Sequence, residues 1–332
     1  MRYESDKMQY VSILRVCSMI LIVLYHSLCF YVGVWWYLCT IEVPIWKLIA
    51  FPVVKVGLTT FVFISGFLYG YMYLERGKYR KVGSFITNKA RRLLIPYFFW
   101  GILIILLMPV AHVSWINLFT GISHLWFLLM LFEIFVFMAF INKLGIGVQY
   151  TKFLDIAIVI MSFILLYAWK RYSSHQHFFG IDNTLYYLPA FFVGFYYAKY
   201  RQKMTSVVLA SSLLIIGVTL LCILSFYGYH ESNTLYRIPA LLVSVSAMIL
   251  LKDYSFSFCQ SRIFANLDKN SMGIYIFNQI VVFVLLLIPD INTFLRHHSF
   301  VGVFFIFIVS FVVPWLLSNL INKSKYTSFL IG

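Results

Sequence analysis

Charge is what this sequence has least of. Asp, Glu, Lys and Arg make up 11% of its 332 residues, whereas a soluble domain carries about 25%. Acid is scarcer still, with 11 Asp and Glu against 26 Lys and Arg. So few charges exclude a string of soluble domains, although length alone would allow about two or three. Cysteine is sparse as well. Cys17, Cys29, Cys39, Cys222 and Cys259 show no CxxC or other metal-ligand spacing, so neither a disulfide nor a metal centre is expected. No GxSxG elbow, HExxH or HRD-like loop occurs, which removes the reaction centres those spacings build. Linkers, low-complexity tracts and internal repeats are missing too, and residues 1–332 read as one domain.

What is abundant is apolar surface. Hydrophobic residues make up 62% of the chain, Phe contributes 34 and Tyr 24, and the mean hydropathy is +0.89. Windows of about 20 apolar residues mark membrane helices. They fall near 10–33, 50–73, 93–111, 125–142, 153–169, 185–199, 205–227, 237–251, 272–289 and 300–321. Each span must be helical, because an open strand leaves its backbone unsatisfied in lipid. The expected fold is therefore all-α, a polytopic membrane protein of about ten transmembrane helices. The first run, from Tyr10 to Gly33, is too long for a signal h-region and lacks an A-x-A site, so it is expected to stay as a helix.

A net charge of +15 invites a nucleic-acid partner, but the cations lie between apolar runs and not in one stripe, so none is expected. Their alternation instead reports topology. With an inside N-terminus, 19 of the 26 Lys and Arg fall in inside segments and five outside (Lys47, Lys170, Arg171, Arg237 and Arg296). Cytoplasmic loops carry such an excess, so both termini are expected in the cytoplasm, in a cell membrane that in a bacterium is the inner one.

The first helix carries the most informative polar residues. Arg15 and His26 are eleven positions apart, about 1,100° of helix rotation, which leaves them about 20° from a common face and about 16 Å apart along the axis. Ionisable groups inside a membrane are costly and mark function by default. The plainer alternatives are an arginine snorkelling to the inner interface and a histidine bonded to a neighbouring helix; the shared face favours function. Glu133 is the one carboxylate placed deep in a span, and structural pairing with Lys55, Arg15 or protonated His26 is its favoured reading. Lys55 either pairs in this way or snorkels outward. His124 is either an interfacial anchor or an acceptor contact. Trp35, Trp36, Tyr37, Trp46, Trp115, Tyr172, His175, His177, Asp182, Tyr227, Tyr229, His230 and Glu231 line the expected outer loops. There they form an interfacial belt or, as the sharper alternative, stack on sugar rings.

The run RVCSMILIVLYH, Arg15 to His26, matches the R-x10-H pattern of the acyltransferase-3 family. FVFISGFLYG (61–70), NKARRLLIPYFFW (88–100), HLWFL (124–128), LPAFFVGFYYAK (188–199) and SMGIYIFN (271–278) resemble further family segments in order. Two positions depart from the pattern. The family's basic R-x-x-R element is Lys89-x-x-Arg92 here, and the histidine of its late IYxxH is Asn278. The resemblance implies a ten- or eleven-helix enzyme that moves an acyl group, acetyl above all, from acetyl-CoA or another acyl-CoA to a hydroxyl of a cell-surface or lipid-linked carbohydrate.

The residue chemistry suits that activity. Acyl-CoA is a cytoplasmic polyanion, and the loop from Arg76 to Arg92 holds seven cations, among them arginines able to fork onto phosphate. The plain alternative is a topology signal alone. Arg15, Lys89, Arg91 and Arg92 are the candidate donor contacts. His26 is the candidate catalytic residue, since a neutral imidazole can accept the proton of an attacking hydroxyl. It acts either as base in a ternary complex or as a covalent acyl carrier. The competing reading from another class is a transporter or flippase of a lipid-linked saccharide, which midplane charges suit. Against it, no matched pair of Gly/Pro-broken helices is visible.

Overall fold

The computed structural model describes residues 8–34, 41–107, 113–143, 152–172, 179–228 and 234–332. Arg2, Lys7, the end of the third expected span at 108–111, and Trp35, Trp36, Tyr37, Cys39, His175, His177, Tyr229, His230 and Glu231 lie outside them. Among the described residues there is no strand. These residues form ten long helices: α1 Gln9–Val32, α2 Pro44–Leu74, α3 Val82–Leu107, α5 Trp126–Lys143, α6 Lys152–Tyr172, α7 Ile181–Tyr200, α8 Val207–Phe226, α9 Arg237–Leu251, α10 Arg262–Leu286 and α12 Ser299–Lys323, with the short α4 Asn117–Thr120 and α11 Pro289–His297 between them. Each of the ten expected spans is helical over nearly all of its described residues. Nine, the last turns before α5 and α9 included, are long and apolar enough to cross a membrane; α7 is the exception.

Three helices are longer than the apolar windows. α2 begins with Pro44 in its first turn, where a proline fits without losing a hydrogen bond. α3 begins at Val82, so Lys89, Arg91 and Arg92 lie on a helix and not in the expected loop. α10 begins at Arg262, ten residues before the expected span, with the Ser261 hydroxyl accepting from the Phe264 amide, an N-cap. In α3 and α10 polar helical turns continue the apolar span, and a hydropathy window cannot register them.

The chain divides into two compact units, Met1–Phe61 with Met204–Ser324, and Val62–Lys203 with Lys325–Gly332. In the first, Val16, Met19, Val23 and Ile274 form a buried cluster on which Phe264, Leu267, Phe307, Phe311 and Trp315 pack, so α1, α10 and α12 share a core. The start of α2 is tied in by Thr60, whose hydroxyl is 2.8 Å from that of Ser244, and by Leu48, whose carbonyl accepts from Ser225 at 2.7 Å.

In the second unit the end of α2 crosses α7 with almost nothing between the backbones. A Cβ on Gly66 would sit 2.1 Å from the Phe191 carbonyl oxygen, and one on Gly194 would sit 2.1 Å from that of Phe63. Gly70, one turn on from Gly66, faces the Phe195 carbonyl. Gly66-x-x-x-Gly70 is thus a small-residue stripe that lets two membrane helices approach closely. α7 is further fixed to α6 by Asp155, which accepts from Lys199 at 2.6 Å and Tyr200 at 2.5 Å.

Candidate functional site

Within the first unit, α1 and α10 run side by side, and two polar pairs bridge them. At one level the Arg15 guanidinium donates to Asp268 Oδ1 at 2.9 Å, and Ser12, one turn earlier, donates to Asp268 Oδ2 at 2.8 Å. Ser12 and Arg15 are three apart on α1 and therefore neighbours on its surface, so together they hold both oxygens of one carboxylate. At the other level His26, 7% exposed, donates from Nδ1 to the side-chain oxygen of Asn278. From Asp268 to Asn278 is ten residues, about 15 Å of helix, against about 16 Å from Arg15 to His26. The rungs match because the two helices are parallel.

That parallel register bears on α7. Parallel spans need an odd number of crossings between them. α2, α3, α5, α6, α8 and α9 are six, so where each of these candidates crosses, α7 is the seventh. Its low hydropathy reflects Asp182, Asn183 and Thr184 at its start and its many tyrosines, several of which are buried: Tyr187 is 3% exposed and Tyr197 likewise 3%.

Asn278 indicates which ring nitrogen of the histidine carries a proton. Its Nδ2 donates to the Ile274 carbonyl at 3.1 Å and to the Tyr275 carbonyl at 2.6 Å, so both amide hydrogens are directed at its own helix, a habit of asparagine within helices. The carbonyl oxygen is therefore the atom turned toward His26. An acceptor opposite Nδ1 requires the proton on Nδ1, and a neutral imidazole then carries its lone pair on Nε2. The arrangement is a base held in one tautomer by a third group, the logic of oriented catalytic histidines.

The other sequence candidates fall elsewhere. Lys89, on α3 in the second unit, turns its ammonium into a box of rings, 3.9 Å from the Phe135 centroid, 5.6 Å from Phe85 and 5.8 Å from Tyr79, where cation–π attraction holds it. Arg91 and Arg92 are exposed on the same helix. Arg92 is near Tyr79, whose phenol burial pushes up against the opposing pull of that guanidinium. Among the described residues Glu133 meets a hydroxyl and not the cationic partner expected of it. The Thr184 hydroxyl donates to its Oε2 at 2.5 Å, because α7 starts early enough to carry Thr184 alongside. Lys55 is buried, and His124 is buried at 5% exposure in the turn before α5. Trp126, the first residue of α5, stacks on Tyr187 at 5.9 Å, and Trp169 donates to Asp182.

Sequence reading missed the roles of two residues. Asp268 was hidden because it precedes the apolar window of its helix. Asn278 was noticed only as a departure from the IYxxH pattern; its position opposite His26 becomes visible once α1 and α10 are neighbours.

Among the described residues, ten long helices, nine of them apolar along a full bilayer's thickness, with the buried His26–Asn278 pair and the half-buried Arg15–Asp268 pair between two of them, define a multi-pass membrane protein with an internal polar site. The family model described as an acyltransferase domain matches residues 8–319, nearly the whole chain, and the protein belongs to this acyltransferase-3 family. It is a membrane acyltransferase. Searches of curated proteins and of solved structures found no match.

Proposed function

We propose that the enzyme moves an acetyl group from acetyl-CoA to a hydroxyl of a cell-surface or lipid-linked carbohydrate, in a cell membrane and with both termini in the cytoplasm. The observation that carries the chemistry is the His26–Asn278 pair: a buried imidazole fixed with its lone pair on Nε2. In the reaction Nε2 takes the proton of the acceptor hydroxyl, the oxygen attacks the thioester carbonyl, and the carbon–sulfur bond breaks. The CoA thiolate leaves and recovers that proton from the imidazolium. Family membership and the R-x10-H match support His26 in this role. The donor's phosphates call for guanidinium forks: Arg91 and Arg92 are exposed and suited to this in the second unit, with Lys89 held behind them in its rings. Arg15, held by Asp268 in the first unit, is the further candidate. The charge alternation and the parity of the spans support the topology.

The test is purified protein in detergent with radiolabelled acetyl-CoA and a panel of saccharide acceptors, with CoA release and labelled saccharide both measured. His26→Gln keeps hydrogen bonding but cannot relay the proton, so transfer should fall by about 10²–10⁴-fold, the contribution of a general base, with thermal stability close to that of the unaltered protein. Near-normal turnover in His26→Gln refutes the catalytic role.

A further inference from the structure

α10 and α12 run antiparallel, and where the start of one meets the end of the other a cleft of about 530 Å³ opens, lined by Arg262, Asn266 and Lys269 from α10 and by Trp315, Asn319 and Lys323 from α12. Its size lies in the range of ligand sites. On each helix these residues recur three to four apart, so they occupy one face. Two layers of chemistry are present. The inner layer is a ladder of amides: Asn266 donates to Asn319 at 2.8 Å, Asn322 to Asn270 at 2.8 Å, and the Trp315 indole to Asn266 at 2.6 Å. Asn319 donates in turn to the Trp315 carbonyl at 3.0 Å. These bonds lock the spacing of the two helices and satisfy the amide hydrogens internally, leaving the recognition of a ligand to other groups.

The outer layer is three cations, Arg262, Lys269 and Lys323, and among the described residues none of them has a carboxylate partner. Asp268, next in sequence to Lys269, is already taken by Arg15 and Ser12. Three like charges around one cleft repel, and Arg262 stands at the first position of α10, where the positive end of the helix dipole opposes a cation. Helix stability does not select that arrangement. An arriving anion relieves both penalties at once.

We infer that this cleft is a phosphate-binding site. Its charged rim takes the phosphate of a ligand while Ile263 and the Trp315 ring offer it apolar walls. Two molecules present that chemistry to a membrane enzyme, an anionic phospholipid headgroup and a nucleotide phosphate such as those of CoA. Cationic clefts between membrane helices are suited to the former. The site does not depend on the transferase reading, because binding is measured without turnover, and a catalytically dead protein tests it equally well.

The experiment is isothermal titration of the full chain in a neutral detergent at low ionic strength. The probes are dihexanoyl-phosphatidylglycerol, dihexanoyl-phosphatidylcholine and CoA. Each cation near an anionic headgroup contributes about fivefold in affinity. Arg262→Gln, Lys269→Gln and Lys323→Gln should therefore each weaken binding by about fivefold, and the triple variant by about a hundredfold, with the zwitterionic lipid unaffected. All three side chains are exposed, so thermal stability should stay at the parent value, and the single variants guard against misfolding of the triple. Loss of phosphatidylglycerol binding alone assigns a lipid headgroup, and loss of CoA binding alone assigns a nucleotide; either supports the site. The inference is overturned if neither anionic probe binds the parent protein, if the triple variant binds both as the parent does, or if phosphatidylcholine binding falls in parallel.

Discussion

Asn278→Ala is the substitution that most directly tests how the histidine is set. The change removes the oxygen that accepts from His26 Nδ1. The asparagine's own donations to the Ile274 and Tyr275 carbonyls cost little to lose, because helical carbonyls retain their backbone partners. What remains is a buried imidazole N–H without its acceptor, worth about 1–3 kcal/mol. The ring can escape that cost by moving its proton to Nε2, the nitrogen that must be bare for the proposed chemistry. Either outcome penalises the productive state by the same amount, and about 1–3 kcal/mol corresponds to about a 5- to 150-fold slower transfer. That is the size of the about 10- to 100-fold effect of groups that orient metal-bound histidines. The assay is CoA release per folded molecule, with the folded fraction taken from thermal unfolding. Asn278→His, which restores the family's residue and an acceptor nitrogen, should recover most of the rate. Wild-type turnover per folded molecule in Asn278→Ala would refute the reasoning, and so would failure of Asn278→His to exceed it.

Other outcomes follow from particular contacts. Gly66→Ala and Gly194→Ala each place a methyl within 2.1 Å of a backbone oxygen, which the opposite helix can relieve only by moving, so each should lower stability by about 1–3 kcal/mol or more; unchanged unfolding in detergent contradicts the close crossing. Asp268→Asn leaves Arg15 without its ion pair, and since the two side chains are 29% and 20% exposed, solvent screening holds the loss to about 1 kcal/mol. A double-mutant cycle with Arg15→Ala measures it, and zero coupling would mean that the pair is incidental. For topology, a cysteine at Gly121 should react with an impermeant thiol reagent from outside the cell, while cysteines at Gly77 and Gln202 should not. Outside labelling of Gly77 would reverse the orientation. The same test at Ser174 and Ser232, outside the described residues, should label like Gly121.

The sequence alone determined the order and type of the long helices, because a bilayer leaves an apolar run no choice but the helix. It also placed Arg15 and His26 on one face, since helix geometry fixes the relation of two residues on the same helix. It could not set where those helices end. The polar turns from Val82 and from Arg262 are helical in the structure, yet they carry no apolar signal, so Asp268 and Lys89 were read as loop. Nor could it set which helices are neighbours. Glu133 meets Thr184, Lys89 enters a ring box and His26 meets Asn278 because of how helices pack, and Arg15 and Asp268 are 253 positions apart. Packing between membrane helices depends on where small residues such as Gly66 and Gly194 let backbones approach. A membrane helix is specified by its own residues, but its partner is decided by the shapes of two surfaces at once, and those exist together only in the folded chain.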